Sequence, residues 1–198
     1  MVQGESALRI LLKEKVFNTS SIDEKYLSEL SDLFIKREYV HNEILVRAGE
    51  KWDKVFFIHK GIIRLYYTNL EGHEHNKGFF WENQLLWPIA PSARKDDSLF
   101  NIAALEPVTV SVCDFSSFYA WLTCHDCWEK FALPYVELFV EDKFRREYEF
   151  LMNSATERFQ CFCTEYVGIV GRIPDYQLAS YLGVTNVTLS RIKKSIDF

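Results

Sequence analysis

Asp175-Tyr176-Gln177-Leu178-Ala179-Ser180-Tyr181-Leu182-Gly183-Val184-Thr185-Asn186-Val187-Thr188-Leu189-Ser190-Arg191-Ile192-Lys193-Lys194 carries the most specific pattern in the chain. Leu178 and Leu182 lie four residues apart and Leu189 and Ile192 three apart, so each pair marks the apolar face of a helix. The residues between them have steric reasons to be there. Ala179 is small where two helices cross closely, Gly183 can take the left-handed conformation that ends the first helix, and Val184 plugs the corner. Thr185 suits the N-cap of the second helix and Pro174 the entry to the first. The pattern predicts a helix-turn-helix.

The second helix leaves Thr185, Asn186, Thr188, Ser190 and Arg191 off its apolar stripe, together with Lys193 and Lys194. Amide, hydroxyl and guanidinium groups there match what base edges in a major groove offer: Arg pairs bidentately with guanine, Asn with adenine. Lys193 and Lys194 are expected on phosphates, where they set affinity and salt dependence. The competing reading is a helical hairpin that merely packs, with Arg191 and the lysines as a solvated face. A crossing alanine, turn glycine and corner valine occurring together with the polar face favour DNA.

Upstream, Trp128 to Met152 reads as one long helix, with Pro134 early enough for its first turn. Leu133, Val136, Val140, Phe144, Tyr148 and Leu151 recur at steps of three and four, while charged residues fall elsewhere on the wheel. Such a stripe needs a partner, and a second copy of the same helix is the better candidate than the rest of the chain. Ser154-Ala155-Thr156-Glu157 is a capping box that starts a new element. A boundary belongs there.

Between about Val40 and Phe115 the texture is different. Short β-branched and aromatic runs (Ile44 to Val46, Val55 to Ile58, Ile62 to Tyr67, Val108 to Val112) alternate with turns at Gly49, Gly61 and Gly72, predicting an antiparallel β domain. Ser116 or Ser117 is expected to cap a short helix through Leu122. The first forty residues look helical, with a capping-box pattern at Ser21-Ile22-Asp23-Glu24. Three parts result: a sensor region over 1–125, a long helix over 126–153 and the helix-turn-helix unit over 154–198.

Composition sets the bounds. At 198 residues and 48% hydrophobic content the chain can bury a sizeable core. Charge interrupts every apolar stretch, and Glu5 precedes any apolar run near the start, so neither a membrane span nor a secretory signal is read and a cytoplasmic location is expected. The five cysteines are an odd count and argue for reduced thiols. Residues 1–153 hold 18 basic against 24 acidic side chains, and residues 154–198 hold 5 against 4. A polyanion would meet the C-terminal part of an otherwise acidic protein.

On these residues the chain resembles the cyclic-AMP receptor protein and Fnr (Crp/Fnr) family of bacterial transcriptional regulators. The front half resembles it in Ile44-Leu45-Val46-Arg47-Ala48-Gly49-Glu50, Phe56-Phe57-Ile58-His59-Lys60-Gly61, Ile63-Arg64-Leu65-Tyr66 and Glu71-Gly72-His73-Glu74. The rear does so from Ile173 to Val184 and from Thr188 to Ile192. The resemblance implies an α+β fold with an N-terminal jelly-roll β-barrel, a long dimerisation helix and a C-terminal winged helix-turn-helix. It also implies a homodimer on a two-fold operator and an encounter with RNA polymerase. The wing would be a short hairpin around Cys163 to Arg172, or nothing.

The family's effector motif is degenerate. Where nucleotide binders place a Gly-Glu pair this chain has Trp87-Pro88, and where they place the phosphate-binding arginine it has Ser98 and Leu99. These four are the ligand-pocket candidates. A phosphate without its arginine would be desolvated and unpaired, so a cyclic nucleotide is not expected; only Arg94 or Lys95, close in sequence, offers a replacement cation. The effector is an unidentified small molecule or none, and no cofactor is implied. The Fnr iron–sulfur motif is also missing, since the first cysteine is Cys113. Cys124, Cys127, Cys161 and Cys163 have convergent pair spacings, but a long helix separates the two pairs, so no metal site is expected within one subunit.

One alternative from another class remains: a small-molecule-binding or metal-dependent cupin-like protein using His41, His59, His73 and His75. His73-Glu74-His75 lies beside Gly72 in an expected turn, and the further ligands are not found at suitable spacing. A regulator, not an enzyme, is the expectation.

Overall fold

A computed structural model describes residues 2–17 and 24–196. Most of the capping-box pattern at Ser21 to Glu24 lies outside the described residues. Two helices come first: α1 (Val2–Leu12), running into a π-helical turn (Lys13–Phe17), and α2 (Glu24–Asp32). Eight strands follow: β1 (Ile35–Tyr39), β2 (Ile44–Val46), β3 (Lys54–Lys60), β4 (Ile63–Thr68), β5 (Glu74–Phe80), β6 (Leu85–Leu86), β7 (Asn101–Ala104) and β8 (Val108–Asp114). The helix α3 (Pro91–Lys95) lies between β6 and β7. Helices α4 (Phe115–Cys124), α5 (Trp128–Met152), α6 (Ala155–Glu165), α7 (Asp175–Leu182) and α8 (Asn186–Ser195) complete the chain.

The strands form two antiparallel four-stranded sheets, ordered β1-β8-β3-β6 and β2-β7-β4-β5. They face each other as a sandwich, and among the described residues no strand pairing closes them into the barrel that the sequence suggested. The central strand β3 shows why three layers form. Phe56 and Ile58 point into the sandwich beside Ile63, Ile102 and Val110. Val55 and Phe57, on the opposite face, meet Leu12, Leu30, Phe118, Leu122 and Phe131 from the helices. All four residues are fully buried, so successive side chains are spent on two different cores.

β1 escaped the sequence reading because Ile35-Lys36-Arg37-Glu38 is exposed throughout and shows no alternation; its pairing with β8 is what makes it a strand. Gly61 is required by geometry. Its φ is +94°, and a Cβ there would lie 2.5 Å from the Pro107 carbonyl oxygen.

The helical parts follow local rules with two exceptions. Ser154 and Glu157 close a full capping box, the Ser154 N–H donating to Glu157 Oε2 at 2.7 Å and the Glu157 N–H to Ser154 Oγ at 3.3 Å. The short helix α4 starts at Phe115, with Asp114 rather than either serine at its N-cap. Pro134 sits inside α5 and not in its first turn. A proline there leaves the carbonyl one turn earlier without its helical donor, a local cost the rest of the helix absorbs.

Candidate functional site

The helix-turn-helix forms as its residues require. Gly183 ends α7 with φ +69°, and its N–H is shared by the Ala179 and Ser180 carbonyls. The Val184 N–H then returns to the Ala179 carbonyl at 3.0 Å, turning the chain into α8. Thr185 caps α8 by accepting the Thr188 N–H at 3.1 Å. Leu178, Leu182, Leu189 and Ile192 meet in one core with Phe159 and Phe162 of α6.

With that face buried, α8 presents Asn186, Val187, Ser190, Arg191 and Lys194 outward. Thr188 is half-buried and its hydroxyl lies 3.0 Å from that of Thr185, so this pair serves the cap first. Lys193 is half-buried and its ammonium sits 2.6 Å from Asp175. That contact ties it to α7, whereas Lys194 is exposed. Val187 is the face residue that the sequence reading passed over; it stands one helical turn before Arg191 and offers a methyl surface of the kind thymine contacts use. After α6, residues 167–172 are turns, so no wing hairpin forms there.

The same unit leans on the β2-β7-β4-β5 sheet through Ile62, Phe79 and Leu105, and a polar seam fixes the contact. The Arg64 guanidinium, 6% exposed, lies 2.7 Å from Glu74 and donates to Gln177 Oε1 at 3.1 Å. Asn76 Nδ2 donates to the same Oε1 at 2.6 Å and to the Gln177 carbonyl at 2.8 Å. Ser180 Oγ accepts the Asn76 N–H and donates to the Glu74 carbonyl, both at 3.0 Å. A second clamp joins Arg172 to Glu82 and Glu106, and the guanidinium holds the Glu82 carboxyl down at about 2.

A cavity of about 830 Å³ opens between this sheet, α5 and the C-terminal ends of α6 and α7. Leu65 and Tyr67 of β4, Lys77 and Phe79 of β5, Leu86, Trp87 and Phe100 form one side. Tyr135, Phe139 and Lys143 of α5 form the other, with Tyr166 and Tyr181 at the end nearest the helix-turn-helix. Of the four pocket candidates, Trp87, Ser98 and Leu99 border it and Pro88 does not. Trp87 is held in the core by Phe115, Trp128, Phe131 and Tyr135, and the Ser98 hydroxyl is spent on the Phe100 carbonyl at 2.7 Å. Arg94 turns away, over the Trp128 ring and toward the Ile89 and Ala90 carbonyls. Among the described residues no arginine lines the cavity; its cations are Lys15, Lys77 and Lys143.

Residues 36–123 match the cyclic nucleotide-binding domain model. Among solved structures, the chain is similar to a CooA double mutant from Carboxydothermus hydrogenoformans, with a TM-score of 0.68 at 16% identity over 94% of this chain and 84% of that one. It is similar also to the c-di-GMP-responsive global regulator CLP of Xanthomonas campestris, at TM-score 0.64 and 11% identity over 88% of this chain and 92% of that one. The catabolite activator protein of Thermus thermophilus aligns at TM-score 0.52 and 14% identity, covering 90% and 85%. The chain has the fold of the Crp/Fnr regulators. None of the curated proteins is matched at the sequence level.

Within this Crp/Fnr fold the long helix keeps its stripe bare. Leu133, Val136, Val140, Phe144, Tyr148 and Leu151 are all exposed, Phe144 at 66% and Leu151 at 75%, whereas Phe131 and Ala132 are the buried residues of α5. The five cysteines are free thiols, and burial pushes Cys113 up to about 12, far from a reactive thiolate. Among the described residues no three His, Cys, Asp or Glu side chains gather as metal ligands. The histidines of the cupin alternative are dispersed: His41 bonds the Leu105 carbonyl, His59 the Ser111 hydroxyl, and His73 pairs with Glu71. Among the described residues no helix is long and apolar enough to cross a membrane.

Proposed function

We propose that this chain is a sequence-specific DNA-binding transcriptional regulator of the Crp/Fnr type, acting in the cytoplasm as a homodimer on a two-fold operator where it meets RNA polymerase. Residues 1–125 serve as the sensor, 126–153 as the dimer helix and 154–198 as the DNA-binding unit. The observation that carries this reading is the outward face of α8, with Asn186, Ser190, Arg191 and Lys194 exposed on a helix whose opposite side is locked into the core. The bare α5 stripe supports the dimer, because a two-fold pair of such helices buries each copy's apolar face against its equal.

Arg191 follows the fully buried Leu189 by two residues, about 200° around the helix, and so points away from the core. Arg191→Ala is expected to remove a base contact of roughly 1–3 kcal/mol, weakening specific binding about tenfold to a hundredfold and relaxing the preference at one base pair per half-site. Lys194→Ala should weaken binding to all sequences alike and reduce the salt slope by about one. Titrating both variants against an operator and its single-base variants at several salt concentrations separates the two roles. Uniform loss in Arg191→Ala, with base preferences kept, would show that the residue positions the protein and does not read sequence.

Cyclic AMP and cyclic GMP are not expected to be effectors. Among the described residues the cavity offers no arginine to a phosphodiester; Arg94 donates to the Ile89 carbonyl, and neither it nor Lys95 lines the cavity. Isothermal titration should show no saturable binding of either nucleotide, and micromolar binding would overturn this part of the reading.

A further inference from the structure

The pairing of β4 with β5 contains an irregularity at the cavity wall. Leu65 faces Gly78 and Tyr66 faces Asn76, so Lys77 is an extra residue bulged out of the ladder. A bulge re-aims a side chain that regular alternation would send elsewhere. Here it lets Asn76 face α7 and Lys77 face the cavity. The Lys77 ammonium lies 4.1 Å from the centre of the Phe100 ring and 5.7 Å from that of Tyr67. It forms no hydrogen bond or ion pair with any described residue; its contacts are aromatic faces. A half-buried ammonium with no counter-ion is costly to keep, and a ligand anion would relieve that cost.

The surroundings add to this. Lys143 lines the cavity from α5, and burial, with the Lys143 charge added to it, pushes the Lys77 ammonium down to about 8. Of the acids that border the cavity, Asp142 pairs with Lys143 at 3.1 Å and Asp97 with Lys51 at 3.4 Å, while Asp96 is exposed at the rim. The remaining wall is mostly apolar. Its polar groups are few and partly spent, with the Ser98 hydroxyl on the Phe100 carbonyl and Gln84 Oε1 on the Trp81 N–H. A sugar or base would leave hydroxyls and amides unpaired there, whereas a hydrocarbon body would not.

We infer that the cavity takes an amphipathic organic carboxylate, its hydrocarbon body against Leu65, Trp87, Phe100 and Phe139 and its anionic head at Lys77, with Lys143 beside it. This rests on the reading of residues 1–125 as the sensor of a regulator and names the chemical class of its effector.

Two fluorescent probes with one hydrocarbon body test the inference on the full chain: 1-anilinonaphthalene-8-sulfonate, an anion, and uncharged N-phenyl-1-naphthylamine. The anion should bind one per chain and at least about tenfold tighter than the neutral probe at neutral pH, and decanoate should displace it at least about tenfold better than 1-decanol. Acetate at the same concentrations should not displace it. Lys77→Met removes a desolvated cation and so should fold with a melting temperature no lower than that of the parent chain. It should lose the preference for the anions while still binding the neutral probe, with Lys143→Met showing a smaller loss. Equal affinity for both probes, or an anion preference that survives in Lys77→Met, would overturn the inference. DNA titrations on the same preparations report on the regulator reading separately, since they need no effector.

Discussion

The double substitution V140E/F144E is expected to turn a dimeric protein into a folded monomer. Both side chains belong to the bare stripe of α5, Val140 at 43% and Phe144 at 66% exposure, and neither enters any of the three cores. The monomer should therefore keep its sandwich and its melting transition. In a two-fold pair the same changes bring four carboxylates onto one apolar seam, where each must stay unpaired or stay hydrated. A penalty of roughly 6 kcal/mol, at about 1.4 kcal/mol per decade, weakens association by about four orders of magnitude. Sedimentation at micromolar concentration checks this directly. Operator affinity should fall with dimerisation, because a lone copy reaches one half-site. A variant that still sediments as a dimer would remove α5 from the interface.

The second large effect is expected at the seam between sensor and helix-turn-helix. Gln177, 3% exposed, gives its Oε1 to both Arg64 and Asn76. Gln177→Leu takes away the acceptor that the two donors share, leaving Asn76 Nδ2 with only the Gln177 main-chain carbonyl and the Arg64 guanidinium, 6% exposed, with only Glu74 and Asn76. The cost should be about 3 kcal/mol, or roughly 6–12 °C in melting temperature for a chain of this size. Combining it with Asn76→Leu should cost less than the sum of the two single changes, because the second substitution removes one of the two donors that had lost an acceptor. Additive losses would mean that the two residues stabilise the protein independently and that the seam is not one network.

Much of the fold was legible because its signals are local. Gly183 needs a positive φ, Thr185 needs the Thr188 N–H, and Ser154 and Glu157 satisfy each other within four residues; all three can be read from spacing. The stripe from Leu133 to Leu151 was legible for the same reason, since one helix carries it whole. What was hidden depends on pairing between distant segments. β1 is a strand only because β8 lies beside it, and the sandwich stays open because no pairing among the described residues joins its edges. The cavity was seen in part. Trp87, Ser98 and Leu99 were found by their place in a family motif, whereas Lys77 faces the cavity through a bulge, and Lys143, Tyr166 and Tyr181 arrive from helices far along the chain. A sheet irregularity leaves no trace in hydropathy. The pairing of Lys193 with Asp175 was hidden for the same reason, since its partner is on the neighbouring helix.

On the proposed function, α8 reads DNA as half of a symmetric pair. Selection of tight-binding duplexes from a randomised pool, using the full chain at moderate salt, tests it most directly. The expected result is enrichment of a two-fold symmetric sequence whose half-sites lie about 10 base pairs apart, or a multiple of that, centre to centre. The enriched duplex should bind at least about a thousandfold tighter than random DNA. A pool that shows no enrichment, or that is retained equally by a chain carrying Arg191→Ala, would contradict it.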